Sequence, residues 1–273
     1  MHTGGGTDGN TVGATVGVAT ALDDLKSRGS ALLVVGTVPE DVYARVSACL
    51  LGGNGDADRR RLVVERGSGS DLRFDQIDRW TPEWTRILSV DLAARSSTAD
   101  ASGAAGASDR LGPDGSSGLD SPTASPSPTS DSTSFDAYGG DRTRDDATVT
   151  VEGSIVDLGV EIGTTIREFD AIAGDLDPAE LRVAFDCVAP LLSEYDRQTV
   201  FRFLHLLAND VRSVGGMGHV RVPEPLDSAL VRLFAPLFDA IVELRLDGRE
   251  PQQRWHLRDA DLTSEWLPIG DGR

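Results

Sequence analysis

The chain has 273 residues, of which 44 are acidic and 26 basic, giving a formal net charge of −18 at 39% hydrophobic content. That balance excludes a nucleic-acid surface, which needs a basic patch, and no apolar run approaches the ~20 residues of a membrane span. The opening MHTGGGTDGNTVGATVGV has neither a cationic n-region nor a long apolar h-region, so a cytoplasmic rather than a secreted chain is expected.

Residues 1–18 are rich in Gly, Thr, Val and Asp and are expected to be disordered. TALDDLKSR (20–28) predicts a short helix. Ala31–Gly36 (ALLVVG) is a continuous apolar run, the mark of a strand buried on both faces. A helix follows from Pro39, with Val42, Val46, Cys49 and Leu50 at helical spacing up to the Gly52-Gly53 stop. Arg61–Glu65 and Arg86–Val90 predict the second and third strands. From Ser96 to Ala147 the chain is dominated by Ser, Thr, Asp, Gly, Ala and Pro. Such a segment cannot bury enough surface to offset its ordering entropy, and a long disordered insert is expected.

After the insert, Ser154 is placed to cap a helix carrying Ile155, Leu158, Ile162, Ile166 and Phe169 on one face, with Gly174 at its end. Leu181–Phe185 predicts a fourth strand. A long amphipathic helix starts at Asp196 and stops at Gly215-Gly216. His219–Val222 is a fifth strand, Leu226–Phe234 a helix and Ala240–Leu246 a sixth strand. The Asp247-Gly248 turn lets Arg254–Leu257 pair back as a hairpin. Strands alternating with helices imply a mainly parallel sheet covered on both faces, with the hairpin as an antiparallel edge. The expected organisation is one domain over residues 19–258, interrupted by the insert 96–147 and followed by a C-terminal tail, 259–273.

The charge has a solvent reading. Lys26 stands alone against 25 arginines, and aspartate outnumbers glutamate by 32 to 12. This looks like the composition of a protein from a salt-in halophile. At molar salt the Debye length is about 3 Å, so exposed like charges barely repel, and an acidic surface keeps the protein soluble. Cys49 and Cys187 both lie among apolar residues and are read as buried free thiols, with no CxxC and no zinc-like cluster. No metal or cofactor is expected. His205 reads as a histidine at the edge of the core and His219 as the start of a strand. Trp80 and Trp84, at i and i+4 around Pro82, fall on one side of a helical turn. They and Trp266 are candidate contacts for a protein partner, because aromatic side chains are frequent interface anchors.

The second half carries a family resemblance. LRVAFDCVAPLLSEYDRQTVFRFLHLLANDVRSVGGMGHVRV is a strand ending in Asp186, a turn, a long helix, a glycine break and another strand. It leads to LFAPLFDAIVELRL and a closing hairpin. This order resembles the RecA/KaiC-type ATPase core, and more closely a haloarchaeal family of uncharacterised KaiC-like (HTR-like) proteins. The resemblance covers about residues 28–95 and 148–258. It implies a phosphate-binding loop after the first strand, Asp186 in the position of the Walker B aspartate, and Glu65 near the position of a catalytic glutamate.

The loop departs from that family's pattern. A phosphate loop reads G-x-x-x-x-G-K-[ST]: backbone N–H groups wrap the phosphates, the lysine neutralises charge and the hydroxyl holds Mg²⁺. Gly36 stands where the first glycine belongs, but Asp41, Val42 and Tyr43 replace the second glycine, the lysine and the hydroxyl residue. Pro39 removes a backbone donor, and Glu40 and Asp41 would oppose an anion. The expectation is a RecA/KaiC-like α/β domain with a degraded phosphate loop: a pseudo-ATPase acting as a regulatory or signalling adaptor through an unidentified protein partner. The alternatives are a divergent ATPase that uses Asp186 and Glu65 with Arg28, Arg45 or Arg59 as cationic help, and a structural subunit of a homo-oligomer.

Overall fold

The structure is a computed structural model; it describes residues 19–52, 58–67, 73–75, 77, 79–91 and 144–270. Its helices are α1 (residues 19–28), α2 (Glu40–Leu51), α3 (Ile155–Ala173), α4 (Val188–Glu194), α5 (Arg197–Ser213) and α6 (Ala229–Phe234). Its strands are β1 (Ser30–Val35), β2 (Arg60–Glu65), β3 (Thr85–Asp91), β4 (Thr148–Glu152), β5 (Leu181–Phe185), β6 (Met217–Val222) and β7 (Ala240–Asp247). Three more close the chain: β8 (Glu250–Leu257), β9 (Leu262–Thr263) and β10 (Leu267–Pro268).

The ten strands of the described residues form one sheet in the order β10-β8-β7-β1-β6-β5-β2-β3-β4, with β9 also paired to β8. From β7 to β4 every pairing is parallel; β8 turns back antiparallel on β7. The central strands are buried on both faces, as continuous apolar runs require. Along β1 the faces divide by alternation. Ala31, Leu33 and Val35 point into the large core under α3, α5 and α6. Leu32 and Val34 point the other way, toward Leu25 of α1 and Val42, Tyr43 and Val46 of α2. The fold class expected from the sequence is therefore the one observed: a mainly parallel sheet, helices on both faces and a C-terminal hairpin at one edge.

Local chemistry sets the element ends. Ser154 caps α3 and receives the Asp157 N–H, while Asp157 accepts from the Ser154 N–H, a reciprocal capping box. Asp196 caps α5 by accepting from the N–H groups of Gln198 and Thr199. Four strands and helices have no counterpart in the sequence expectation: β4, α4, β9 and β10. The edge strand β4 follows directly on a polar segment, and α4, read as a turn, contains Pro190 inside only seven residues. Residues 259–270, assigned to a tail, add β9 and β10 to the sheet and bury Ile269.

The expected disordered stretch 1–18 lies outside the described residues, as does 96–143 of the insert; residues 144–147 form a 3₁₀ turn. Cys49 corrects an expectation: it is exposed, because α2 buries the face of Tyr43, Ser47 and Leu51 instead. Cys187 is buried as expected.

Candidate functional site

The two carboxylates picked out by resemblance do meet. Glu65 ends β2, and Asp186 follows β5 immediately. The β2–β5 register pairs Val64 with Phe185, and the Asp186 N–H donates to the Val64 carbonyl at 2.9 Å. Adjacent strands run about 4.8 Å apart, so the acids stand side by side at the carboxyl ends of parallel strands, where open α/β sheets place ligand sites. Their side chains are only 4% and 10% exposed. Two like charges so close and so poorly hydrated need a proton, a metal or a protein cation between them.

That cation is Arg73. Its guanidinium is 1% exposed, pairs with Asp186 Oδ2, and reaches Glu65 Oε2 at 3.5 Å. Arginine suits the task because its planar fork offers several donors in fixed geometry to more than one carboxylate. Glu65 Oε1 accepts from Arg144 at 2.6 Å. The Tyr43 hydroxyl of α2 donates to Asp186 Oδ1. Above the Tyr43 ring lies Arg221, 4.1 Å from the centroid, and Arg221 is itself paired with Glu40 at 2.6 Å. Three carboxylates, Glu65, Asp186 and Glu40, and three guanidiniums, Arg73, Arg144 and Arg221, thus pair at this end of the sheet.

Titration follows from this packing. Burial, the Asp186 charge and its hydrogen bond lift the Tyr43 hydroxyl well above the ordinary tyrosine range, so it stays a donor. Burial pushes Arg73 down, but Asp186, Tyr43 and Glu65 outweigh it and hold its pKa above the usual arginine value. Burial, then Asp186 and Glu65, push the Cys187 thiol up to about 12, so it is no nucleophile. His219, fully buried, is pushed down to about 3 by burial and by Arg73 and Arg182; its Nε2 bonds Ser47 Oγ at 2.8 Å. It is a neutral core histidine.

The loop before α2 has its own constraints. Gly36 has φ +125, and a Cβ there would collide with the Leu244 carbonyl of β7. Its N–H donates to the Glu224 carbonyl at 2.8 Å. The close approach of β7 therefore accounts for this glycine without a phosphate. Val42 and Tyr43 direct their N–H groups at the Pro39 carbonyl, at 3.1 and 3.3 Å. The positive end of the α2 dipole meets the chain's own Glu40 and Asp41. A magnesium–nucleotide does not fit these residues. The lysine and hydroxyl positions hold Val42 and Tyr43, several backbone donors are engaged, and Asp186 is taken by Arg73 and Tyr43.

The cations named from the sequence lie elsewhere: Arg28 pairs with Asp24 and Asp259, Arg45 with Asp41, and Arg59 donates to the Asp58 carbonyl. Trp80 packs tilted on Phe74, its ring centroid 5.7 Å away. Arg60 and Arg79 lie against the Trp84 ring at 4.5 and 4.4 Å, and Arg245 and Arg254 against that of Trp266 at 3.8 and 4.3 Å. His205 is exposed, not at the core edge, and contacts Asn209. Among the described residues no cluster of His, Cys, Asp and Glu is arranged to hold a metal ion, and no helix is long and apolar enough to cross a membrane. Arg73 itself escaped the sequence reading. It sits in no motif, and its one signal is a lone arginine between Leu72 and Phe74.

Residues 29–244 match a family described as a family of unknown function, DUF7504. No curated protein matches the chain in sequence. Among solved structures it is similar to a KaiC-like protein from the hyperthermophilic archaeon Pyrococcus horikoshii, with a TM-score of 0.47 and 10% identity. That alignment covers 90% of this chain and 88% of the other.

Proposed function

The chain belongs to the DUF7504 family, and we propose that its domain is a non-catalytic RecA/KaiC-like pseudo-ATPase that acts by protein contacts as a regulatory or signalling adaptor. One observation carries the reading: the buried guanidinium of Arg73 stands between Asp186 and Glu65. Those are the carboxylates a nucleotide-hydrolysing relative would use for a metal and a water. A protein cation there supplies permanently the charge that a dissociable metal supplies on binding. The site is then set in one electrostatic state and has no ligand to wait for.

In this reading the strand-end cluster is a structural keystone and the working surfaces lie on the outside of the domain. The acidic composition supports an intracellular environment of high salt, where such a surface is soluble. Phosphate release from ATP and GTP tests the proposal, using purified protein in molar KCl with Mg²⁺. The expected result is a rate equal to that of the Asp186→Ala and Glu65→Gln variants and of buffer. Turnover above buffer that either substitution abolishes would replace this reading with that of a divergent ATPase.

A further inference from the structure

The parallel helices α3 and α5 leave an apolar groove of about 480 Å³ between them. Its floor is made by Gly159 and Gly163, and its walls carry Val156, Val160 and Leu206, which are 69%, 61% and 62% exposed. Aliphatic side chains this exposed, gathered on one face, mark an interaction surface.

The charges along α5 say what covers it. Arg202, Leu206 and Asp210 are successive i, i+4 positions on its outer side, all exposed and all lining the groove. At about 1.5 Å rise per residue, the arginine and the aspartate lie about 6 Å on either side of the leucine. Such a stripe is complementary to itself when reversed. Two α5 helices packed antiparallel, with Leu206 on the two-fold axis, place each Arg202 opposite the other chain's Asp210. The protruding Leu206 of each copy then meets the apolar groove of the other beside Gly159.

We propose that the α3–α5 groove is the interface of a two-fold symmetric dimer of this chain, centred on Leu206 and framed by two Arg202–Asp210 pairs. Such an isologous contact uses the same patch on both copies and closes on itself. Within each copy Asp210 also feels the charge of Arg167 of α3, which lines the same groove, and the other copy's Arg202 adds a second cation to it.

Light scattering on the size-separated protein tests this, in 0.5 M KCl, with circular dichroism to confirm that each variant is folded. The wild type is expected to run as a dimer at about 50 µM. Leu206→Glu should be monomeric at the same concentration. Arg202→Asp and Asp210→Arg should each weaken the dimer at least tenfold, and the double exchange Arg202→Asp/Asp210→Arg should restore it. In a Cys49→Ser background, Leu206→Cys should cross-link to itself with a short bis-maleimide, whereas Ser213→Cys, near the end of α5, should not. A monomeric wild type, a dimer indifferent to Leu206→Glu, or a charge exchange without rescue would each overturn the proposal.

Discussion

At position 73 a single guanidinium sits between two acids that would otherwise repel one another, and it has been removed from water to do so. Breaking a buried pair by removing one partner leaves the other charge uncompensated, at a cost of about 3–5 kcal/mol. Arg73→Met should therefore destabilise the domain by about that amount in urea unfolding carried out in molar KCl. Asp186→Asn in the same background should cost much less than it costs alone, because the charge left behind has gone. Additive losses would mean that Arg73 packs but does not compensate. The buried imidazole of His219 makes stability depend on pH. Its pKa is about 3 when folded against about 6.5 when unfolded. Between these values the unfolded chain binds the extra proton, so stability is complete above pH 6.5 and falls on acidification. The limiting slope is about 1.4 kcal/mol per pH unit. His219→Gln should flatten the decline between pH 6.5 and 5, where carboxylates contribute little; an unchanged slope would refute the assignment.

Elements were more legible than contacts. The apolar runs at β1 and β5 and the spacing in α3 and α5 announced themselves because burial on two faces, or on one stripe, leaves a period in the sequence. Glu65 and Asp186 could be named because each ends such a run. Arg73 could not, since what defines it is the meeting of a loop with two strands, and nothing local in the chain encodes that meeting. Gly36 shows the same limit from the other side. Its place after β1 was read through the phosphate-loop pattern, whereas its conformation is required by β7, more than 200 residues along the chain. Gly36→Ala should cost about 1–3 kcal/mol from the backbone angle alone, and the collision with the Leu244 carbonyl should add to that. Unfolding midpoints in urea read the loss directly; a neutral substitution would show that β7 can give way.

For the whole molecule, an acidic surface coexists with a strand-end site whose carboxylates are neutralised. The site at the strand ends pairs its carboxylates with arginines inside the domain, while most other carboxylates of the described residues are exposed. Stability should therefore depend strongly on ionic strength. The urea midpoint is expected to fall as KCl is lowered from about 2 M to 0.1 M, where the Debye length grows to about 10 Å and the surface repels itself. A midpoint unchanged across that range would remove the solvent explanation of the composition. Calorimetric titration of ATP with Mg²⁺ into the wild-type protein in molar KCl asks whether the Arg73 keystone excludes a nucleotide. No saturable heat is expected up to about 1 mM nucleotide, an affinity weaker than about −4 kcal/mol. Saturable binding that disappears in Asp186→Ala would show that Arg73 yields its place to a metal, and would contradict the account.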